Sequence, residues 1–232
     1  MPPRLRPGAL RAPRVVSLCP FGDNRNAMAV ASELVVVAPG LRIWQAYDSA
    51  VKADLFSTAV ATADGLYLVD PILLEDDALA ELLGEGSIVG IIVTNVNHLR
   101  AAPHFAQKFS VPIFALPQSI PNETRSDFRE VIDGNNICDE LRVIGIDGAV
   151  PGEIALYYMP DGGTLIVGDT LINFEPYGFN FLPGKYCSDE KEMRRSLREL
   201  LAHPAERMLF AHGTPITSHA GERLTRLLDV DP

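Results

Sequence analysis

The sequence predicts an α+β domain in which mixed sheets are flanked by helices. Two turn signals and one rhythm predict it. Asp64-Gly65 joins "STAVATA" to "LYLVDPI", and Asp161-Gly162-Gly163 joins "EIALYYMP" to "TLIVGD", so hairpins occur early and in mid-chain. Strand–helix units lie between and after them, without the regular alternation of a doubly wound parallel fold.

The elements follow in order. "EDDALAELLGEG" predicts a helix with acids in its first turn, where they suit the helix dipole, and glycines at its end. "GIIVT" reads as a buried strand that runs into the polar turn "TNVNHLR", residues 94–100. Leu99, Ala102, Phe105, Ala106 and Phe109 then recur at helical spacing, with Pro103 tolerable near the first turn. "SVPIFAL" is the next strand, and residues 117–140 read as an irregular polar loop. After "LRVIGI" and the second hairpin, "FEPYGFNFLPGKY" reads as a long aromatic connection. "SDEKEMRRSLRELLAH" predicts a helix capped by Ser188. "RMLFAHGTP" is a strand ending in a histidine turn, and "SHAGERLTRLLD" a final helix.

Bulk composition narrows the function classes. The chain has 232 residues, a net charge of −10 and four arginines but no acid in residues 1–14. That balance argues against nucleic-acid binding, which needs basic patches. No apolar run approaches the ~20 residues of a membrane-spanning helix. Three widely spaced cysteines without a CxxC argue for free thiols in the cytoplasm rather than a disulfide framework. Residues 1–32 are expected to be a flexible extension and residues 33–232 a single domain.

Polar residues collect at strand ends in Asp70, in the 94–100 turn, in Gly168-Asp169 and in His212-Gly213. Their order, from "STAVATADGLYLVDP" through "TNVNHLR" and "VPGEIALYYMPDGGTLIVGDTL" to "LFAHGTP", resembles the metallo-β-lactamase superfamily over roughly residues 35–228. The resemblance implies a four-layer αββα sandwich with its site at one edge between the sheets. In that family the turn reads Thr-His-x-His-x-Asp-His, a further histidine precedes the Pro-Gly of the hairpin, the Gly-Asp carboxylate bridges two metals, and a last histidine completes the second site.

Residue by residue, Asn95 and Asn97 stand for the first two histidines, Leu99 for the aspartate, Arg100 for the next histidine and Ala149 for the hairpin histidine. Asp169 and His212 match. Neutral amides are poor zinc ligands, and a catalytic zinc takes three protein ligands with one open position. The count therefore argues against a dinuclear hydrolase.

Three readings remain. The first, which the count favours, has no cofactor. Arg100 pairs with Asp169 in the metal's place, and the pocket of Asp70, Asn95, Asn97 and His98 takes a small molecule or partner, or serves a homo-oligomer. The second holds one Zn or Fe on His98, Asp169 and His212 and hydrolyses an ester, thioester or lactone. It requires His98 to swing inward, whereas strand alternation turns it away from Asn95 and Asn97. The third has Arg100 hold an anionic substrate, with Asp169 or His212 as base.

Overall fold

A computed structural model of the chain describes residues 28–121 and 128–229. The strands are β1 (Val30–Ala31), β2 (Val35–Ala38), β3 (Leu41–Asp48), β4 (Ala53–Thr62), β5 (Gly65–Val69), β6 (Leu73–Leu74), β7 (Ile88–Ile92), β8 (Ile113–Ala115), β9 (Phe128–Glu130), β10 (Asn136–Cys138), β11 (Leu141–Gly145), β12 (Ile154–Tyr158), β13 (Thr164–Val167), β14 (Leu171–Phe174), β15 (Gly178–Phe181) and β16 (Arg207–Phe210). Four α-helices, α1 (Asp76–Leu83), α2 (Ala102–Phe109), α3 (Glu190–Ser196) and α4 (Ala220–Asp229), complete the framework.

Two large sheets carry it, a seven-stranded one in the order β2-β3-β4-β5-β7-β8-β9 and a five-stranded one in the order β10-β11-β12-β13-β16. Strand alternation explains why they stack. In β4, Phe56 and Val60 enter one cluster while Leu55 and Ala59 enter another. In β13, Ile166 joins the cluster of Phe56, whereas Leu165 and Val167 join a third. The shared cluster, with Ile92, Leu156 and Leu209, is the layer between the sheets. The outer faces are covered by α1 and α2 on one side, through Leu79, Leu82 and Phe105, and by α3 and α4 on the other, through Met193 and Leu224. The result is the αββα sandwich.

Both sheets contain a parallel pair, β5 with β7 and β13 with β16. Their carboxyl ends emerge at one edge, the usual place for functional groups in such sheets. Asp70 follows β5, the 94–100 turn follows β7, Asp169 follows β13, and His212 follows β16. Two backbone bonds tie the sheets together there, from Ile154 N–H to the Thr94 carbonyl (2.8 Å) and from Phe56 N–H to the Ala211 carbonyl (3.0 Å).

Several expectations need correction. "FEPYGFNF" is not a plain connection, because β14 and β15 pair there as an antiparallel hairpin. The polar stretch 117–140 contributes β9 and β10 to the two sheets, although residues 122–127 lie outside the described set. The cap of α3 is Asp189, whose carboxylate accepts from the backbone N–H of Lys191 and Glu192. Val30–Ala31, within the expected extension, pair in parallel with Leu73–Leu74, and residues 1–27 of that extension lie outside the described residues. Among the described residues no helix is long and apolar enough to cross a membrane.

Candidate metal centre

The turn after β7 closes earlier than strand spacing suggests. The His98 N–H bonds to the Asn95 carbonyl (3.1 Å), and Arg100 takes the left-handed φ of +37° before α2 begins. This tight turn breaks the alternation that would have turned His98 outward. The imidazole is buried, at 2% exposure, and lies between two carboxylates.

On one side, His98 Nδ1 is 2.9 Å from Asp70 Oδ2 and 2.9 Å from Thr94 Oγ1. The Thr94 hydroxyl spends its single proton on Asp70 Oδ2, at 2.6 Å. With an ionised carboxylate and a committed hydroxyl facing it, Nδ1 must carry the proton. On the other side, Nε2 stands 3.1 Å from Asp169 Oδ1 but has no aligned hydrogen-bond partner. A buried imidazole nitrogen is therefore aimed at a carboxylate oxygen at ion-pair distance, without an aligned hydrogen bond.

His212 repeats the pattern from the other sheet. Its Nδ1 lies 3.2 Å from the Asp54 carbonyl, and its Nε2 lies 3.3 Å from the same Asp169 Oδ1. Both rings thus present Nε2 to one oxygen, and the ligand atoms of His98, Asp169 and His212 lie within 4.8 Å of one another. The His212 side chain keeps 20% of its surface exposed, which opens the group to solvent.

The second oxygen of Asp169 faces amides. Asn95 Nδ2 reaches Oδ2 at 3.2 Å and Asn97 Nδ2 at 3.4 Å. The same Asn95 nitrogen donates to Glu153 Oε2 at 2.7 Å, and the Asn95 side-chain oxygen Oδ1 accepts from Asn97 N–H at 2.8 Å. Glu153 is 1% exposed, and its other oxygen accepts from the N–H (3.1 Å) and hydroxyl (3.2 Å) of Thr170. Close approach here demands a glycine: a Cβ at Gly168 would stand 2.7 Å from both Glu153 Oε1 and Thr94 Oγ1.

The electrostatics follow from burial and pairing. Burial pushes Asp70 up, but His98, Arg100 and the Thr94 hydroxyl outweigh it and hold the carboxyl below its ordinary value. Burial likewise opposes ionisation of Asp169, and the facing imidazoles overcome it, leaving that carboxyl well below its usual range. For His98, burial and Arg100 act downward while Asp169 and Asp70 carry it up to about 9. Glu153 is pushed up to about 8 by burial and by Asp169.

Arg100 is not where the sequence put it. Its Nη1 donates to the Phe56 carbonyl at 2.6 Å and the Asp70 carbonyl at 3.0 Å, and the buried Nη2 has no partner. No hydrogen bond or ion pair joins it to Asp169 among the described residues. The expected Arg100–Asp169 pair is replaced by His98–Asp169, because the early turn sends residue 98 to Asp169 and residue 100 to the Phe56 and Asp70 carbonyls. Asp70 adopts a left-handed φ of +48° and orients His98 rather than lining an open pocket.

A family model for the metallo-β-lactamase superfamily matches residues 35–230. The chain belongs to the metallo-β-lactamase superfamily. Solved structures of the same fold include a β-lactamase domain protein from Burkholderia ambifaria, with a TM-score of 0.63 and 17% identity over 90% of this chain and 78% of that one. A metallo-β-lactamase family protein from Thermus thermophilus gives a TM-score of 0.59 and 18% identity over 84% and 80%. A superfamily protein from Sulfolobus tokodaii gives 0.59 and 11% over 76% and 79%. No curated protein matches the chain in sequence.

Superfamily members are built to hold metal, so the donor set can be tested for fit. A metal-binding histidine typically donates its far N–H to a carboxylate or carbonyl, which fixes the tautomer and frees the other nitrogen. His98 on Asp70 and His212 on the Asp54 carbonyl both meet this condition. The orphaned Nε2 of His98 meets it again from the other end. The donor set of His98, Asp169 and His212 fits a metal ion.

Sequence reasoning missed Glu153 and the partnership of Thr94 and Asp70. A lone glutamate heading an apolar strand carries no spacing signal, and only the fold brings it to Asp169. A groove of about 430 Å³ lies along Gly145–Glu153, bordered by Asp133, Asp147 and Glu199, and includes neither His98 nor His212.

Proposed function

We propose that this superfamily member is a single-cation hydrolase of neutral esters, thioesters or lactones, with the cation held by His98, Asp169 and His212. The observation that carries the reading is the convergence of two Nε2 atoms, each set free by an acceptor on Nδ1, upon one oxygen of Asp169. Three protein ligands with a solvent-facing side are the ordinary provision of a catalytic zinc or non-haem iron site. When bound, the ion would lower the pKa of a water and polarise a substrate carbonyl.

The chain's own residues do the rest. Asp70 and Thr94 hold the His98 ring and its tautomer. Asn95 and Asn97 occupy Asp169 Oδ2, which leaves one oxygen for a ligand and limits the centre to one ion. The backbone bond from Asn173 N–H to the His212 carbonyl (3.2 Å) steadies the His212 turn against β14. The free thiols of Cys138 and Cys187 accord with a reducing cytoplasm.

A second reading, a metal-free pocket for a small molecule, is favoured by one observation. The buried Arg100 guanidinium acts electrostatically on His98, and a cation so close to the centre opposes an incoming dication. Chelator-treated protein, reloaded in parallel with zinc, iron(II) or manganese and assayed on ester, thioester and lactone panels, separates the two. The cation reading expects hydrolysis that returns with one metal and is lost in His98→Ala. Hydrolysis unchanged by chelation, or absent under every metal and substrate, contradicts it.

A further inference from the structure

Asn95 does something that neither metal binding nor folding of the turn requires. Its amide NH₂ group stands between two buried acids, with one hydrogen directed to Glu153 Oε2 (2.7 Å) and the other to Asp169 Oδ2 (3.2 Å). The orientation is not arbitrary, because the amide oxygen is fixed by Asn97 N–H at 2.8 Å, which settles which end is nitrogen. Asn95 is fully buried and Glu153 is 1% exposed, so water is not there to replace the amide. A buried acceptor that loses its donor bears the whole cost of desolvation.

We infer that Asn95 is a positioning residue that stands in for a cation between Glu153 and Asp169, holding the two carboxyl groups apart and turning Asp169 Oδ1 toward the imidazoles. The amide bridges the two acids as a metal ion would, but is neutral and cannot dissociate. It reserves Oδ1 for His98 and His212, and it closes a second, oxygen-rich cation position made of Glu153, Asp169 Oδ2 and residue 95. The inference does not depend on whether the His98 centre holds metal.

Two measurements on the full-length protein test it. In chelator-treated protein, Asn95→Ala is expected to lower the unfolding midpoint by roughly 5 °C for a domain of this size. Adding Glu153→Gln, which returns an amide N–H to the gap, is expected to recover at least half of that loss, although Glu153→Gln alone gives no gain. An Asn95 that served only its turn would show additive losses, because Glu153→Gln leaves the Asn97 N–H bare, and additivity overturns the inference.

The second measurement keeps the turn intact. N95D retains an acceptor for Asn97 N–H but supplies a third carboxylate, suiting a hard, oxygen-seeking ion. Calorimetric titration with manganese(II) is expected to give one more ion per chain in N95D than in the wild type. A rise from zero to one would count against the His98 centre while upholding the role of Asn95, and a rise from one to two upholds both. An unchanged number overturns the role of Asn95 whatever the wild type binds.

Discussion

Asp70 Oδ2 accepts the Nδ1 proton of His98 at 2.9 Å, and this one bond decides what the other ring nitrogen is free to do. Because Thr94 Oγ1 has already given its hydrogen to the same carboxylate oxygen, Nδ1 carries a proton whether the ring is neutral or charged.

Asp70→Asn should therefore act on the centre without touching it. An amide NH₂ turned toward His98 would force Nδ1 to accept, move the proton to Nε2 and remove that nitrogen as a ligand. Loss of such an outer partner typically costs 10–100-fold in metal affinity. Competition titration with a chromophoric chelator reads the affinity, and nitrogen NMR of the metal-free imidazole above pH 9, where the ring is neutral, reads the tautomer. An unaltered tautomer would refute the assignment.

Protonation gives the metal-free protein a definite response to pH. His98 is raised from 6.5 to about 9 and Glu153 from 4.5 to about 8, so both bind protons more tightly folded than unfolded. Their contribution is complete below the unfolded values and is lost as pH rises, for Glu153 between 4.5 and about 8 and for His98 between 6.5 and about 9. Asp70 and Asp169 are shifted down, so their contributions are lost only as pH falls below the usual carboxylate range. Each differentially bound proton changes stability by about 1.4 kcal/mol per pH unit. Urea unfolding of chelated protein should show a loss of about 2 kcal/mol or more from pH 6 to 9. A flat or rising profile contradicts the placement of these protons.

Arg100 should prove a structural residue rather than a substrate-binding one. Its Nη1 joins the carbonyl of Phe56 within β4 to that of Asp70 just after β5, so Arg100→Ala uncovers two buried acceptors. A loss of ~2–4 kcal/mol in unfolding free energy is expected. Arg100→Met, which keeps the volume and removes the unpaired Nη2, should lose less. Equal losses would mean that the charge, not the packing, is what matters there.

Gly168→Ala tests the close approach around Asp169. A methyl group 2.7 Å from both Glu153 Oε1 and Thr94 Oγ1 must displace one of them. A fall of ~1–3 kcal/mol is expected, with weakened cation binding, as measured by unfolding and titration. A neutral result would show that the end of β13 yields without disturbing Asp169.

The fold was legible because period-two alternation sorts Phe56 from Leu55 and Ile166 from Leu165, and the turn pairs Asp64-Gly65 and Asp161-Gly162 sit where hairpins need them. Asp169 and His212 were legible as strand-end residues in a familiar order. The 94–100 turn was misread by two residues, because alternation governs strands and the Asn95–His98 bond ends the strand geometry first. Arg100 was therefore expected where His98 stands. Glu153 left no mark in the sequence, since its role depends on a neighbour 58 positions away.

The central claim is that His98, Asp169 and His212 hold one cation. Metal content per chain, measured on protein expressed with zinc, iron and manganese supplied and purified without added metal, tests it most directly. The account predicts close to one ion per chain in the wild type and near zero in Asp169→Ala. A wild type without stoichiometric metal, or a variant that keeps it, would contradict the account.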